Sequence, residues 1–145
     1  MSKEKQKLHL AEEYARRVRS GEILACEYVR LAVGRYYRDL DMALDRGWFF
    51  DRREAIRAIH FIECLKHTKG KWAGSRFRLE PWQQFVVWNI FGWKHADGTR
   101  RFRYTYIEIA RKNGKTALAA GIALYMLFAD GESRPEVYSA ATIKD

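Results

Sequence analysis

The stretch that decides the fold reads IEIARKNGKTALAAGIALYMLFADGE, residues 107–132. Its first four residues end an alternating run, RFRYTYIEIA (101–110), rich in β-branched and aromatic side chains, and that pattern predicts a strand. Residues 111–115 predict a loop, and the almost wholly apolar run 116–129 predicts a buried helix. A second strand is predicted at EVYSA, 136–140. Strand, loop, helix and strand make a βαβ unit, the ordinary basis of a parallel sheet.

The loop carries the chemistry. A backbone that closes around a triphosphate must turn N–H groups inward, and glycine permits that curl, here at Gly114. A lysine just inside the following helix, Lys115, reaches the β- and γ-phosphates, and the next hydroxyl, on Thr116, can ligate Mg2+. The helix N-terminus adds partial positive charge, and Arg111 and Lys112 add two cations beside it. The full pattern is G-x-x-x-x-G-K-[ST]; Ile109 stands where its first glycine belongs.

Upstream, the pattern is helical. Residues 8–19 predict a short amphipathic helix that ends at Ser20-Gly21, and 22–45 predict a longer one, with Gly34 marking a kink or a close helix contact. Asp45-Arg46-Gly47 predicts a stop with a left-handed glycine cap. Asp51, three residues before Glu54, predicts the start of a third helix running to about Lys66. His67–Ser75 predicts a loop and the boundary between a helical region, 1–75, and the start of a second domain, 76–145. Pro81 predicts the first turn of a helix, 81–92, and Ala96–Thr99 a tight turn.

The chain has 145 residues, 48% apolar and 14% aromatic, with two prolines, which excludes a low-complexity tail. Its N-terminus is charged throughout and has no apolar core of a signal peptide, and no apolar run reaches the roughly 18–20 residues of a membrane span. The expectation is a soluble protein of the cytoplasm, not secreted and without a membrane partner. Cys26 and Cys64, with no CxxC, read as reduced thiols. The net charge of +9 favours a polyanionic partner. Residues 52–78 hold eight basic and two acidic residues, 94–115 seven and two, and the second block ends on Lys115.

The run from Ile107 to Glu132, followed by EVYSAAT, resembles the ATPase region of tailed-phage terminase large subunits, the motors that package DNA. The nearest group has an RKNGK[ST] phosphate loop, tolerates loss of the first loop glycine and carries an early arginine, as Ile109 and Arg111 do here. Leu79-Glu-Pro-Trp-Gln83 resembles that family's adenine-binding Q motif, with FGW (91–93) following it, and SGEI (20–23) in the leader also looks like this group.

The resemblance implies an α/β fold: an N-terminal helical region followed by the first βαβ unit of a P-loop (ASCE-type) ATPase sheet, incomplete. It implies ATP and Mg2+ as cofactors. Lys115 would bind the β- and γ-phosphates, Thr116 the Mg2+, and Arg111 the γ-phosphate or transition state, with Lys112, Asn113 and Gly114 completing the loop. Gln83 would hydrogen-bond adenine, and Trp82 would wall the base or else serve as a core aromatic. The partners implied are double-stranded viral DNA, a terminase small subunit, a portal protein and further copies of the chain in a motor ring.

A packaging ATPase also needs an apolar strand ending in Asp-Glu, to order Mg2+ and activate water, and the sequence has no such run. Asp39, Asp41 and Asp45 read as a solvated helix face paired with nearby arginines, and the four histidines show no metal-ligand spacing. We therefore expect an N-terminal piece of a terminase large subunit that binds nucleotide with negligible turnover. The alternatives are a fragment of another helicase-like P-loop ATPase, or a non-enzymatic basic module binding DNA through 52–78 and 94–112.

Overall fold

The computed structural model describes residues 8–66 and 73–140. In chain order its elements are α1 (Leu10–Arg19), α2 (Glu27–Met42), β1 (Trp48–Phe50), α3 (Arg52–Cys64), α4 (Pro81–Gly92), β2 (Trp93–His95) and α5 (Lys115–Phe128). The result is a mixed α/β arrangement dominated by helices.

Local chemistry sets the helix starts. The Asp51 carboxylate accepts from the Arg53 and Glu54 N–H groups at 3.0 and 3.1 Å, as DRRE predicts for α3. At α1 the cap is His9, whose Nδ1 accepts from the Ala11 N–H while the Glu12 carboxylate accepts from the His9 N–H. Pro81 occupies the first turn of α4, as expected. The second helix is shorter than predicted, because residues 20–26 fold into a connection in which the Ile23 N–H donates to the Arg17 carbonyl. Gly34 makes no close contact: a methyl built on it meets nothing within 4 Å. Gly47 does adopt the expected left-handed conformation, φ 65°.

The core forms around α4. That helix is apolar on every side, the mark of a buried helix, and it packs against both α1 and α3. Trp88 and Trp93 are fully buried, and the Trp88 indole N–H donates to the Tyr36 hydroxyl at 3.2 Å. Phe50 lies 5.1 Å from each of those two indoles and presses directly on Gly92, where a Cβ would fall 2.3 Å from the ring's Cζ. α5 packs on α3 through a second glycine: a Cβ on Gly121 would lie 2.8 Å from Ile62 Cγ2. Tyr125 fills the seam between Phe61 and Phe91, and burial pushes its phenol up to about 12.

Two sequence expectations fail. Residues 101–110 and 136–140 run outside any ladder, and the sheet among the described residues is an antiparallel pair, β1 with β2, in the register Trp48↔His95, Phe49↔Lys94, Phe50↔Trp93. Among the described residues no βαβ unit is therefore seen. A parallel strand needs a neighbour to take its N–H and C=O groups, and beyond the Arg101 N–H, which donates to the Trp93 carbonyl at 3.0 Å, no backbone bond pairs either run with another described segment. The alternation survives without the pairing, since Ile107 and Ile109 are half-covered while Thr105, Glu108 and Ala110 are exposed. Tyr104 and Tyr106, aromatic residues of the same alternating run, are 94% and 86% exposed.

Asp39 is the third correction. It is buried rather than solvated, and its carboxylate accepts from Arg101 at 2.8 Å. The Arg101 guanidinium lies 3.5 Å over the Trp48 ring, so this pair pins the 100–102 segment against β1. Among the described residues no helix is long and apolar enough to cross a membrane.

Candidate functional site

The N-terminus of α5 is the chemically exposed end of the molecule. Gly114 caps it with φ 74°, and no side chain bonds to the first-turn N–H groups. Lys112 is also left-handed, φ 67°, so the loop turns sharply on both sides of Asn113. The Asn113 side chain bends back and donates to the Ala110 carbonyl at 3.5 Å. The result is a hollow of ≈ 410 Å³, bordered by Ala110, Arg111 and Lys112 on one side and by Gly114, Lys115 and Thr116 on the other. Asn113 is absent from its lining.

Arg111, Lys112 and Lys115 are all exposed, and none is ion-paired with a described residue. This contrasts with the cations of the preceding segment. Arg100 is tied to Asp130 and Arg101 to Asp39, while Arg57 donates to the Ala129 carbonyl at the far end of α5. The helix is thus anchored at its C-terminus and leaves an unneutralised cationic N-terminus facing solvent.

Gln83 reaches this loop from α4. It is 4% exposed, and its Oε1 accepts from the Glu80 N–H at 2.9 Å, one half of a capping box at the start of α4. Its Nε2 lies 3.1 Å from where a Cβ on Gly114 would stand. Gly114 is thus glycine for two reasons, the left-handed backbone and the amide packed against it. Two motifs 31 positions apart in the sequence meet at this contact.

Trp82 points elsewhere. It is half-buried and lines a separate groove of ≈ 260 Å³ with Pro81, the stripe Leu10, Glu13, Tyr14 and Arg17 of α1, and Ile23. The α1 stripe was missed in the sequence, although its i, i+3, i+4, i+7 spacing marks one helix face beside the Ala11–Ala15–Val18 core face. Among the described residues no group of three His, Cys, Asp or Glu could hold a metal ion.

Residues 81–145 match the family model described as terminase large subunit, ATPase domain. Over this stretch the chain is similar to terminase large subunits, and the match supports a fragment of one. No curated protein and no solved structure matches the chain. The terminase match takes in Gln83, the cation-lined loop and the whole of α5, while α1, α2 and α3 lie before it. A match to an ATPase domain implies nucleotide binding over this stretch.

Proposed function

We propose that the chain binds Mg2+-ATP on the loop 111–116, as the nucleotide-binding part of a phage terminase large subunit. The observation that carries this is the meeting of Gln83 with Gly114 beside three unpaired cations. The residues fit the ligand. An uncapped helix N-terminus and three exposed cations suit a triphosphate. One exposed hydroxyl, on Thr116, suits Mg2+, which takes few protein ligands and keeps phosphate oxygens and water.

In this reading Lys115 holds the β- and γ-phosphates, Thr116 the Mg2+, and Arg111 the γ-phosphate. Lys112 supports the outer phosphates, and Asn113 holds the loop's shape through Ala110. Mg2+ draws charge from the phosphates. Lys115 and Arg111 would add fixed positive charge beside the negatively charged phosphate oxygens. The sequence holds no apolar run ending in Asp-Glu, so the proposal stops at binding.

The wider role is proposed by family. The chain would act in a P-loop sheet of ASCE type, in the bacterial cytoplasm, with viral double-stranded DNA, a small subunit, a portal and a ring of its own copies. A purely DNA-binding module has less support, because Arg52, Arg57, Arg100 and Arg101 of the basic blocks are engaged within the fold. Calorimetric titration of ATP with Mg2+ tests the reading. Binding that Lys115→Ala abolishes is expected, whereas salt-sensitive DNA binding with no ATP binding would defeat it.

A further inference from the structure

We propose that Arg57 is a positioning residue for the phosphate loop: with Arg100, it holds α5 by its C-terminal end and so fixes where Gly114, Lys115 and Thr116 stand. The inference rests on the nucleotide reading above. It brings a leader residue, outside the matched stretch 81–145, into the working of the site.

Three observations carry it. The first is where α5 is held. At its C-terminal end the Arg57 guanidinium donates to the Ala129 carbonyl at 2.6 Å, Arg100 pairs with Asp130, and Tyr125 is fully buried between Phe61 and Phe91. At the other end Lys115, Thr116, Ala119 and Ala120 are exposed, and no side chain bonds the first-turn N–H groups. Among the described residues, and apart from its chain neighbours, a Cβ on Gly114 would meet only Gln83 Nε2 within 4 Å. The loop therefore has little beside it to set its position.

Second, the seat on α3 lies near the middle of the helix. A Cβ on Gly121 would fall 2.8 Å from Ile62 Cγ2, so the two helices touch there. At a rise of about 1.5 Å per residue, Gly114 stands about 10 Å from Gly121 on one side and Ala129 about 12 Å on the other. A stiff helix resting on such a point tilts as a lever, and a displacement at Ala129 reappears at Gly114 with nearly the same size. Third, the positive charge at the C-terminal end comes from outside the helix. The last turn of α5 holds no basic residue, although its carbonyls carry partial negative charge. Arg57 meets that charge from α3, 72 positions away in the chain. The Tyr125 hydroxyl, buried near both arginines, bonds to no described group and adds no polar tie.

Nitrogen–proton correlation spectra of the nucleotide-free chain, and calorimetry with Mg2+-ATP and with Mg2+-tripolyphosphate, test the proposal. Arg57→Ala should shift the Gly114 amide and the Gln83 side-chain amide before any nucleotide is added, and weaken both ligands roughly threefold or more. A loss of stability alone would lower the melting point and leave those two resonances in place. Arg53→Ala removes an exposed charge one turn earlier on the same helix and should leave resonances and affinities as they are. The Arg57 side chain is 54% exposed, so its removal should not prevent folding; Asp130→Asn, which breaks the ion pair at the same end, is the second variant and should move the same two resonances. Unmoved Gly114 and Gln83 resonances in both variants, or equal losses of affinity in Arg53→Ala and Arg57→Ala, would overturn the proposal. Tripolyphosphate binding that needs Lys115 but ignores Arg57 would sink the positioning role and leave the phosphate loop standing. No binding of either ligand by the native chain would remove both.

Discussion

The seam between α5 and α3 seats the phosphate loop, and one pair of substitutions probes it. Gly34 and Gly121 both lie inside helices, so glycine costs each about 0.8–1.0 kcal/mol against alanine in helix propensity. They differ in surroundings. A methyl at Gly34 meets nothing within 4 Å, whereas at Gly121 it falls 2.8 Å from Ile62 Cγ2. Ile62 is fully buried and β-branched, so that atom is a stiff branch rather than a flexible tip. Overpacking of this kind costs about 1–3 kcal/mol.

Gly34→Ala should therefore stabilise by about 0.8–1.0 kcal/mol, and Gly121→Ala should destabilise by a net of roughly 0–2 kcal/mol. Their difference, about 1–3 kcal/mol, is the packing term alone, because the propensity term cancels. Urea titration reads it directly, and the melting points should separate by roughly 2–4 °C per kcal/mol. Adding Ile62→Ala to Gly121→Ala should give a coupling of about 0.5–3 kcal/mol, since the new methyl then occupies the space vacated. If Gly121→Ala proves as stable as Gly34→Ala, the close approach of α5 to α3 is wrong.

Other substitutions report on other parts of the fold. Asp51→Ala should lose about 1 kcal/mol of stability in urea unfolding, because two N–H groups of α3 lose their acceptor. Gly92→Ala should cost more than Gly121→Ala in the same assay, since the Phe50 ring it strikes is held by Tyr36, Trp88 and Trp93. His9 should make stability pH-dependent. Burial, then Arg52, hold its pKa below 6.5, so its contribution is complete above that value and is lost as pH falls below it through the depressed folded pKa. Thermal melts at about pH 7.5 and about pH 5.5 should show a larger loss for the native chain than for His9→Asn, whose cap does not titrate.

The helices were legible because their signals are local: Asp51 three residues before Glu54, Pro81 opening an apolar run, and a turn at Asp97-Gly98. β1 was missed because three residues, Trp48–Phe50, are too short for alternation to register. The strands read at 101–110 and 136–140 had the right pattern, but a ladder depends on a neighbour that no local pattern reveals. The same limit applies to Asp39, whose charged neighbours on α2 made it look solvated until Arg101 arrived from 62 positions away. Of the site, the loop residues Arg111–Thr116 are neighbours in the sequence, so their grouping is local. The loop's contact with Gln83 and the α1 wall around Trp82 are products of packing.

The central claim is that a triphosphate sits on the N-terminus of α5. Nitrogen–proton correlation spectra of the chain, titrated with ATP and Mg2+, test it most directly. The prediction is that the Gly114, Lys115 and Thr116 amides move together and saturably, and that Lys115→Ala removes the response. Saturable binding that leaves those three amides still while shifting resonances elsewhere would contradict it.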